Sequence, residues 1–248
     1  MPRYFLELAY KGTDFSGFQV QLTARTIQSE VERAFSIYFR RAVELTGSSR
    51  TDAGVHARQN YFHFDWEQQF DPRCLYHLNA ILDKAIVLKQ VAEVPADAHC
   101  RFHALQRQYR YSISRLKDPF TQETAWHFPY QVQADLLVEM ADMVCQNRNF
   151  IAFSKRNTQV KTFECEIFHS RWLIEPTELQ YEVVGNRFLR GMVRGLVSSM
   201  LKAARGSSTI DHFRQLLEGG KQASADFAAP AHGLCLERVL FPPDLLPA

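Results

Sequence analysis

Alternating apolar and polar positions mark Arg3–Tyr10 as a strand, with Tyr4, Leu6, Leu8 and Tyr10 on one face. Thr26 then stands where a helix cap belongs, ahead of an apolar stripe of Ile27, Val31, Ala34, Phe35 and Tyr38. A strand-like stretch at 42–46 leads into a loop of small residues. Alternation returns at 60–66, where Phe62, Phe64 and Trp66 share a side. A helix follows Pro72 (Leu75, Leu78, Leu82), and the strand Ile86–Val94 stops at Pro95. The order is β-α-β-α-β. The second part of the chain is similar. It reads as a strand at 107–114, a helix at 134–145, and strands at 162–174 and 178–184. A long helix follows at 188–204, with Phe188, Leu189, Met192, Val193, Leu196, Val197 and Met200 on its apolar face. A shorter helix at 209–217 ends at Gly219-Gly220, and a last strand at 233–241 precedes a proline-rich tail. Two comparable halves, 1–104 and 105–248, predict an α+β architecture on one or two antiparallel sheets.

Composition narrows the classes. With 248 residues, 46% hydrophobic and 23% charged, the chain has the makeup of an ordinary globular protein of two modest domains. No apolar run approaches the roughly 18 residues a membrane span needs. Met1-Pro2-Arg3-Tyr4-Phe5 runs straight into the first strand with no visible signal peptide, so the expected location is the cytoplasm. Five scattered cysteines, never in a CxxC pair, speak against a disulfide framework or a zinc ribbon. The stretch His99-Cys100-Arg101-Phe102-His103 offers metal-ligating types, yet a metal site needs more ligands at matching spacing; none is expected. Net charge is only +2, but 21 of the 29 basic residues are Arg. GC-rich coding explains such a bias, and so does phosphate and base recognition by planar guanidinium groups.

Three segments carry chemistry. Ser48-Ser49-Arg50-Thr51-Asp52-Ala53-Gly54-Val55-His56-Ala57 is a loop between strands that sets one carboxylate beside an Arg and a His. An Asx-turn and a catalytic loop both fit it. In Arg107-Gln108-Tyr109-Arg110-Tyr111, alternation puts Arg107, Tyr109 and Tyr111 on one face and Arg110 on the other. Such a strand buries tyrosines as core or offers rings and guanidinium groups to an unstacked base. In the third, Arg187, Arg190 and Arg194 fall on one stripe of the long helix, continued by Ser198, Lys202 and Arg205. The last three read as a solvated face. Cations near a helix N-terminus, where partial positive charge gathers, suit a bound anion.

Together these segments resemble the tRNA pseudouridine synthase A family. The resemblance rests first on Arg50-Thr51-Asp52-Ala53-Gly54-Val55-His56-Ala57. Gly17-Phe18-Gln19-Val20-Gln21, Arg107-Gln108-Tyr109-Arg110-Tyr111, Phe188-Leu189-Arg190-Gly191-Met192-Val193-Arg194 and Ala229-Pro230-Ala231-His232-Gly233-Leu234 support it, in the family's order along nearly the whole chain. It implies two ferredoxin-like halves forming a continuous, mostly antiparallel central sheet flanked by helices, with a basic cleft between them. It implies a homodimer holding one tRNA across both subunits, with uridines 38 to 40 of the anticodon stem-loop as targets. It makes Asp52 the catalytic aspartate, Arg194 its ion-pair partner, Tyr109 the residue against the flipped base, and Arg50 part of the RNA-flipping loop. Arg107, Arg110, Arg190 and His56 are further candidates for substrate contact. The chain departs from the pattern at Phe18, where many relatives carry tryptophan, and in a compact region at 155–161, which leaves substrate breadth open. No metal or organic cofactor is expected, because the isomerisation moves no electrons and loses no group. A non-catalytic RNA-binding protein is the competing reading. A glycosidase usually needs paired carboxylates, and the loop holds one acidic residue.

Overall fold

A computed structural model describes residues 1–155, 162–219 and 224–246. Most of the compact region at 155–161, and the expected helix stop at Gly220, lie outside the described residues. The chain sorts into two compact units, Met1–Gln106 with Leu236–Ala248, and Arg107–Cys235. The described residues are α+β, with nine mostly antiparallel strands and five α-helices.

In the first unit β1 (Arg3–Tyr10) lies between β3 (His56–Asp65) and β4 (Ile86–Val94), antiparallel to both. The short β2 (Thr46–Gly47) pairs with β3, and β9 (Leu234–Leu240) lies on the other side of β3. Even-numbered side chains of β1 and β3 build an aromatic core with α1 (Ile27–Phe39). Tyr4 stacks on Phe64 at 5.7 Å, and Phe35 meets Phe64 edge-on at 5.5 Å. The odd-numbered Phe5 and Tyr61 pack instead against Phe241, at 5.2 and 5.0 Å. This is why the chain's last stretch groups with the first unit. The helix α2 (Cys74–Ile81) buries Leu78. Thr26 caps α1 as its sequence position predicts, its hydroxyl accepting from the Ser29 N–H while Ser29 reaches back to the Thr26 N–H. Two expectations fail locally. Tyr38 turns outward at 39% exposure, and 42–45 form no strand, leaving only Thr46 and Gly47 paired.

In the second unit β8 (Glu178–Gly185) lies between β5 (Gln106–Ser114) and β7 (Ile167–Ile174), antiparallel to both, and β6 (Trp126–His127) runs parallel to β5. Tyr111 faces Tyr181 across β5 and β8, and both are fully buried. The helices are α3 (Ala134–Gln146), α4 (Met192–Ala204) and α5 (Ile210–Glu218). The helix expected from residue 188 begins only at Met192. Gly191 adopts φ 77°, a left-handed conformation that other residues enter at a cost of roughly 1–2 kcal/mol, and this breaks the chain path ahead of the helix. Phe188 and Leu189 keep the apolar periodicity but belong to the approach.

Candidate active site

The Asp52 loop runs from β2 into β3, whose first residues are His56 and Ala57. A buried polar network holds its back. Asn60 is fully buried; its Nδ2 donates to the Ser49 carbonyl (2.8 Å) and to the Tyr10 hydroxyl (3.1 Å), while its Oδ1 accepts from the Ser49 N–H (3.3 Å). The Tyr10 hydroxyl in turn meets Thr51 Oγ1 at 2.8 Å. The register between β1 and β3 shifts between Leu8 and Tyr10, beside this network. On its other side the loop leans on the Gly17-Phe18 turn. The Phe18 N–H donates to the Thr51 carbonyl (3.1 Å), and Gly17, at φ 101°, approaches so closely that a Cβ would lie 3.1 Å from that oxygen. The tip is a main-chain turn, Val55 N–H to the Asp52 carbonyl at 3.1 Å, with Gly54 at φ 79°. This presents a partly exposed Asp52 beside an exposed Arg50. A carboxylate on a backbone fixed from two sides is pre-organised for chemistry.

His56 sits below the loop, not at its surface. It is 5% exposed, and its Nδ1 accepts from the Gly12 N–H at 3.0 Å. Gly12 is pressed on the loop as well: a Cβ there would lie 2.0 Å from the Val55 carbonyl oxygen. His56, expected among the substrate contacts, therefore occupies an interior position that pins the loop.

In the second unit Tyr109 lies on β5 opposite Val183, 8% exposed, with its ring edge-to-face with Phe188 at 5.1 Å. The half-buried Arg107 donates to the Asn186 carbonyl at 2.7 Å. Arg110, a neighbour of Tyr109 on the opposite face, is tied to Glu182 at 3.2 Å; the same carboxylate holds Arg171 at 2.6 Å. Burial alone would raise the Glu182 carboxyl, but the two guanidinium groups outweigh it and hold it below the usual range. The helical stripe of three arginines is corrected by the late start of α4: only Arg194 is helical, while the half-buried Arg187 and exposed Arg190 precede it. Arg194 donates from Nε to the Ala229 carbonyl (2.7 Å) and from Nη2 to the Phe227 carbonyl (3.4 Å). The solvated-face reading holds for the exposed Lys202 and Arg205 and fails only at Ser198. Ser198 is buried and donates to Asp226 (2.9 Å), Lys202 pairs with Asp226 (2.6 Å), and Arg205 lies 3.5 Å over the Tyr130 ring. Sequence reasoning missed Asp226 altogether; its nearness to the Ala229-Pro230 string was the only signal.

The fold also gathers His63, His99 and Cys100, whose ligand atoms lie within 4.8 Å of one another. Local bonds already engage them. His99 Nδ1 accepts from the Arg101 N–H (3.1 Å), Cys100 Sγ donates to the Thr46 carbonyl (3.2 Å), and His63 Nδ1 lies 3.2 Å from Cys100 Sγ. Burial, with help from His99 and Arg3, pushes His63 down to about 4, so its ring is neutral near pH 7.

Residues 147–242 match the family model described as tRNA pseudouridine synthase. The chain is 37% identical over 249 residues to tRNA pseudouridine synthase A of Parabacteroides distasonis, covering 100% of this chain and 99% of that one. It is 37% identical to the protein of the same name from Porphyromonas gingivalis, over 99% of each chain. The Staphylococcus aureus protein of that name is 33% identical over 96% of this chain and 90% of its own. The chain belongs to the tRNA pseudouridine synthase A family. These tRNA pseudouridine synthase A matches extend across both units, so the Asp52 loop and the Arg194 helix both fall within the aligned length. Among the described residues no helix is long and apolar enough to cross a membrane.

Proposed function

We propose that Asp52 is the catalytic carboxylate of a tRNA pseudouridine synthase that acts on uridines 38 to 40 of the anticodon stem-loop. The family's reaction is an isomerisation. The N1–C1′ glycosidic bond breaks, the freed uracil turns over, a C5–C1′ bond forms, and the C5 hydrogen leaves as a proton while N1 gains one. A stacked base cannot rotate, so the uridine must first leave the helix, at a cost of a few kcal/mol. Arg50, exposed next to Asp52, is suited to fill the vacated space. The observation that carries the assignment is the loop itself: a lone acidic side chain on a turn braced by Tyr10, Thr51, Asn60 and Gly17.

In this reading Asp52 works ionised, either attacking C1′ or removing the C2′ proton. Arg194 is its partner, a planar guanidinium able to fix the geometry of a carboxylate. Tyr109 supplies the ring against the free uracil, with Arg107, Arg110, Arg190 and Arg187 as contributors to RNA binding. The burial of His56 makes it support for the loop rather than a direct contact. We further propose a homodimer holding one tRNA across both subunits, resident in the cytoplasm. The reaction as written requires neither metal nor organic cofactor.

The test is Asp52→Asn with purified tRNA, scored by a carbodiimide block to reverse transcription. Product is expected to fall by at least about 10³-fold, with tRNA affinity within a few-fold because phosphate contacts dominate binding. Substantial turnover by the variant would sink the assignment, and wild-type protein that binds tRNA without making pseudouridine would favour the non-catalytic reading.

A further inference from the structure

We infer that Tyr111 is a positioning residue for Arg194, acting through the main chain at 227–230. The inference rests on the reading of Arg194 as part of the reaction centre. The Ala229 and Phe227 carbonyls receive the Arg194 guanidinium, so where those two oxygens lie sets where the guanidinium lies. That stretch of backbone is fastened at both ends. Upstream, Asp226 accepts from Ser198 (2.9 Å) and Lys202 (2.6 Å), one and two turns further along the helix that carries Arg194, and its other oxygen caps the Ala228 N–H at 3.0 Å. Downstream, the Tyr111 hydroxyl donates to the Pro230 carbonyl at 2.8 Å. Ala229 and Pro230 are adjacent, so the hydroxyl and the guanidinium grip neighbouring carbonyls.

Tyr111 has little freedom to release this grip. It is fully buried opposite Tyr181, and Gly233 presses on its ring so closely that a Cβ there would lie 2.6 Å away. Burial pushes its phenol far above the ordinary range, with the Arg194 charge opposing, so the hydroxyl stays a proton donor wherever the protein is folded. Two residues earlier on the same face of β5 stands Tyr109. One strand therefore supplies the ring proposed to stack on uracil and the hydroxyl that anchors the arginine's backbone support.

The experiment is Tyr111→Phe, which keeps the ring against Gly233 and removes only the donor. Single-turnover release of C5 tritium at saturating tRNA is expected to slow about tenfold, with tRNA affinity within about twofold. Tyr181→Phe is the matched control, because it deletes an equally buried hydroxyl, bonded to Ser170 at 2.8 Å on the neighbouring strand pair. It should lower the melting temperature comparably and leave the rate unchanged. Asp226→Asn, which loosens the other end, should slow the rate in the same direction, and Tyr111→Phe should add no further loss once Arg194 is Ala. A Tyr111→Phe enzyme with the wild-type rate, or one slowed only as much as Tyr181→Phe, overturns the inference. If Arg194→Ala itself turns over normally, the reading of Arg194 falls and takes the inference with it. If Arg194→Ala is inactive while Tyr111→Phe is normal, only the inference falls.

Discussion

The Asp52 loop and the Arg194 region hold their side chains in opposite ways. The loop is shaped largely by its own short stretch and by glycines pressed against it. Asn60 bonds back to Ser49, the Val55 N–H closes on the Asp52 carbonyl, and Gly12 and Gly17 leave no room for side chains. The Arg194 region is held instead by side-chain bonds: Arg194 to Ala229, Ser198 to Asp226, and Tyr111 to Pro230. Backbone packed this closely tolerates little substitution, whereas side-chain ties spread the load over several weaker bonds. The difference teaches where each region should fail under mutation.

The largest expected effect that sharpens this contrast is at the arginine itself. Arg194→Ala should lower single-turnover rate on the order of a hundredfold, the scale for removing one fixed electrostatic group, with only a modest change in tRNA affinity. Normal turnover at saturating tRNA would reduce the second region to scaffold and end the comparison. Next comes Gly12→Ala. The added Cβ meets the Val55 carbonyl at 2.0 Å, so the loop must shift. Overpacking of this kind costs about 1–3 kcal/mol, read as a lower melting temperature with turnover reduced more than binding. An active, fully stable Gly12→Ala enzyme would show that the loop is less rigidly backed than its contacts indicate.

The smallest effect is acid sensitivity under β2 and β3, away from both regions. The His63 ring is charged below about 6.5 when unfolded but only below about 4 when folded. Between these values the unfolded chain binds the extra proton, so stability is lost as pH falls through that window and is fully present above it. Asp65 alone opposes the lowering, while His99 and Arg3 add to it. His63→Gln should flatten the dependence of the urea midpoint over this window. An unchanged slope would place the ring in a wetter setting.

The legibility of each region follows from the same difference. The Asp52 loop was readable because its tip turn and the small residues crowded around one carboxylate stand in one line of sequence, although Tyr10, Gly12 and Gly17, which back it, lie more than thirty residues away. The strands of β1 and β4 and the capped start of α1 were readable for the same reason: periodicity and caps are local signals. The start of α4 was misplaced because Phe188 and Leu189 continue the apolar spacing while Gly191, φ 77°, breaks the backbone. The residues at 42–45 look extended but do not pair; only Thr46 and Gly47 join β3. Ser198 reads as part of the wet face because its partner, Asp226, is a lone acid more than twenty residues away with no pattern around it. The tie of Arg110 to Glu182 is not legible in the sequence because the two lie on different strands.

The return of residues from Leu236 onward to the first unit has a consequence for synthesis. As the chain leaves the ribosome, Phe5 and Tyr61 appear long before Phe241, the ring that covers them. The whole second unit must be made in between. The first-made unit is therefore completed after the second, and its nascent form carries a bare aromatic face that only the later synthesis of the stretch from Leu236 can close. Folding in which distant segments must meet is slow and leaves apolar surface open to chaperones or to aggregation in the meantime.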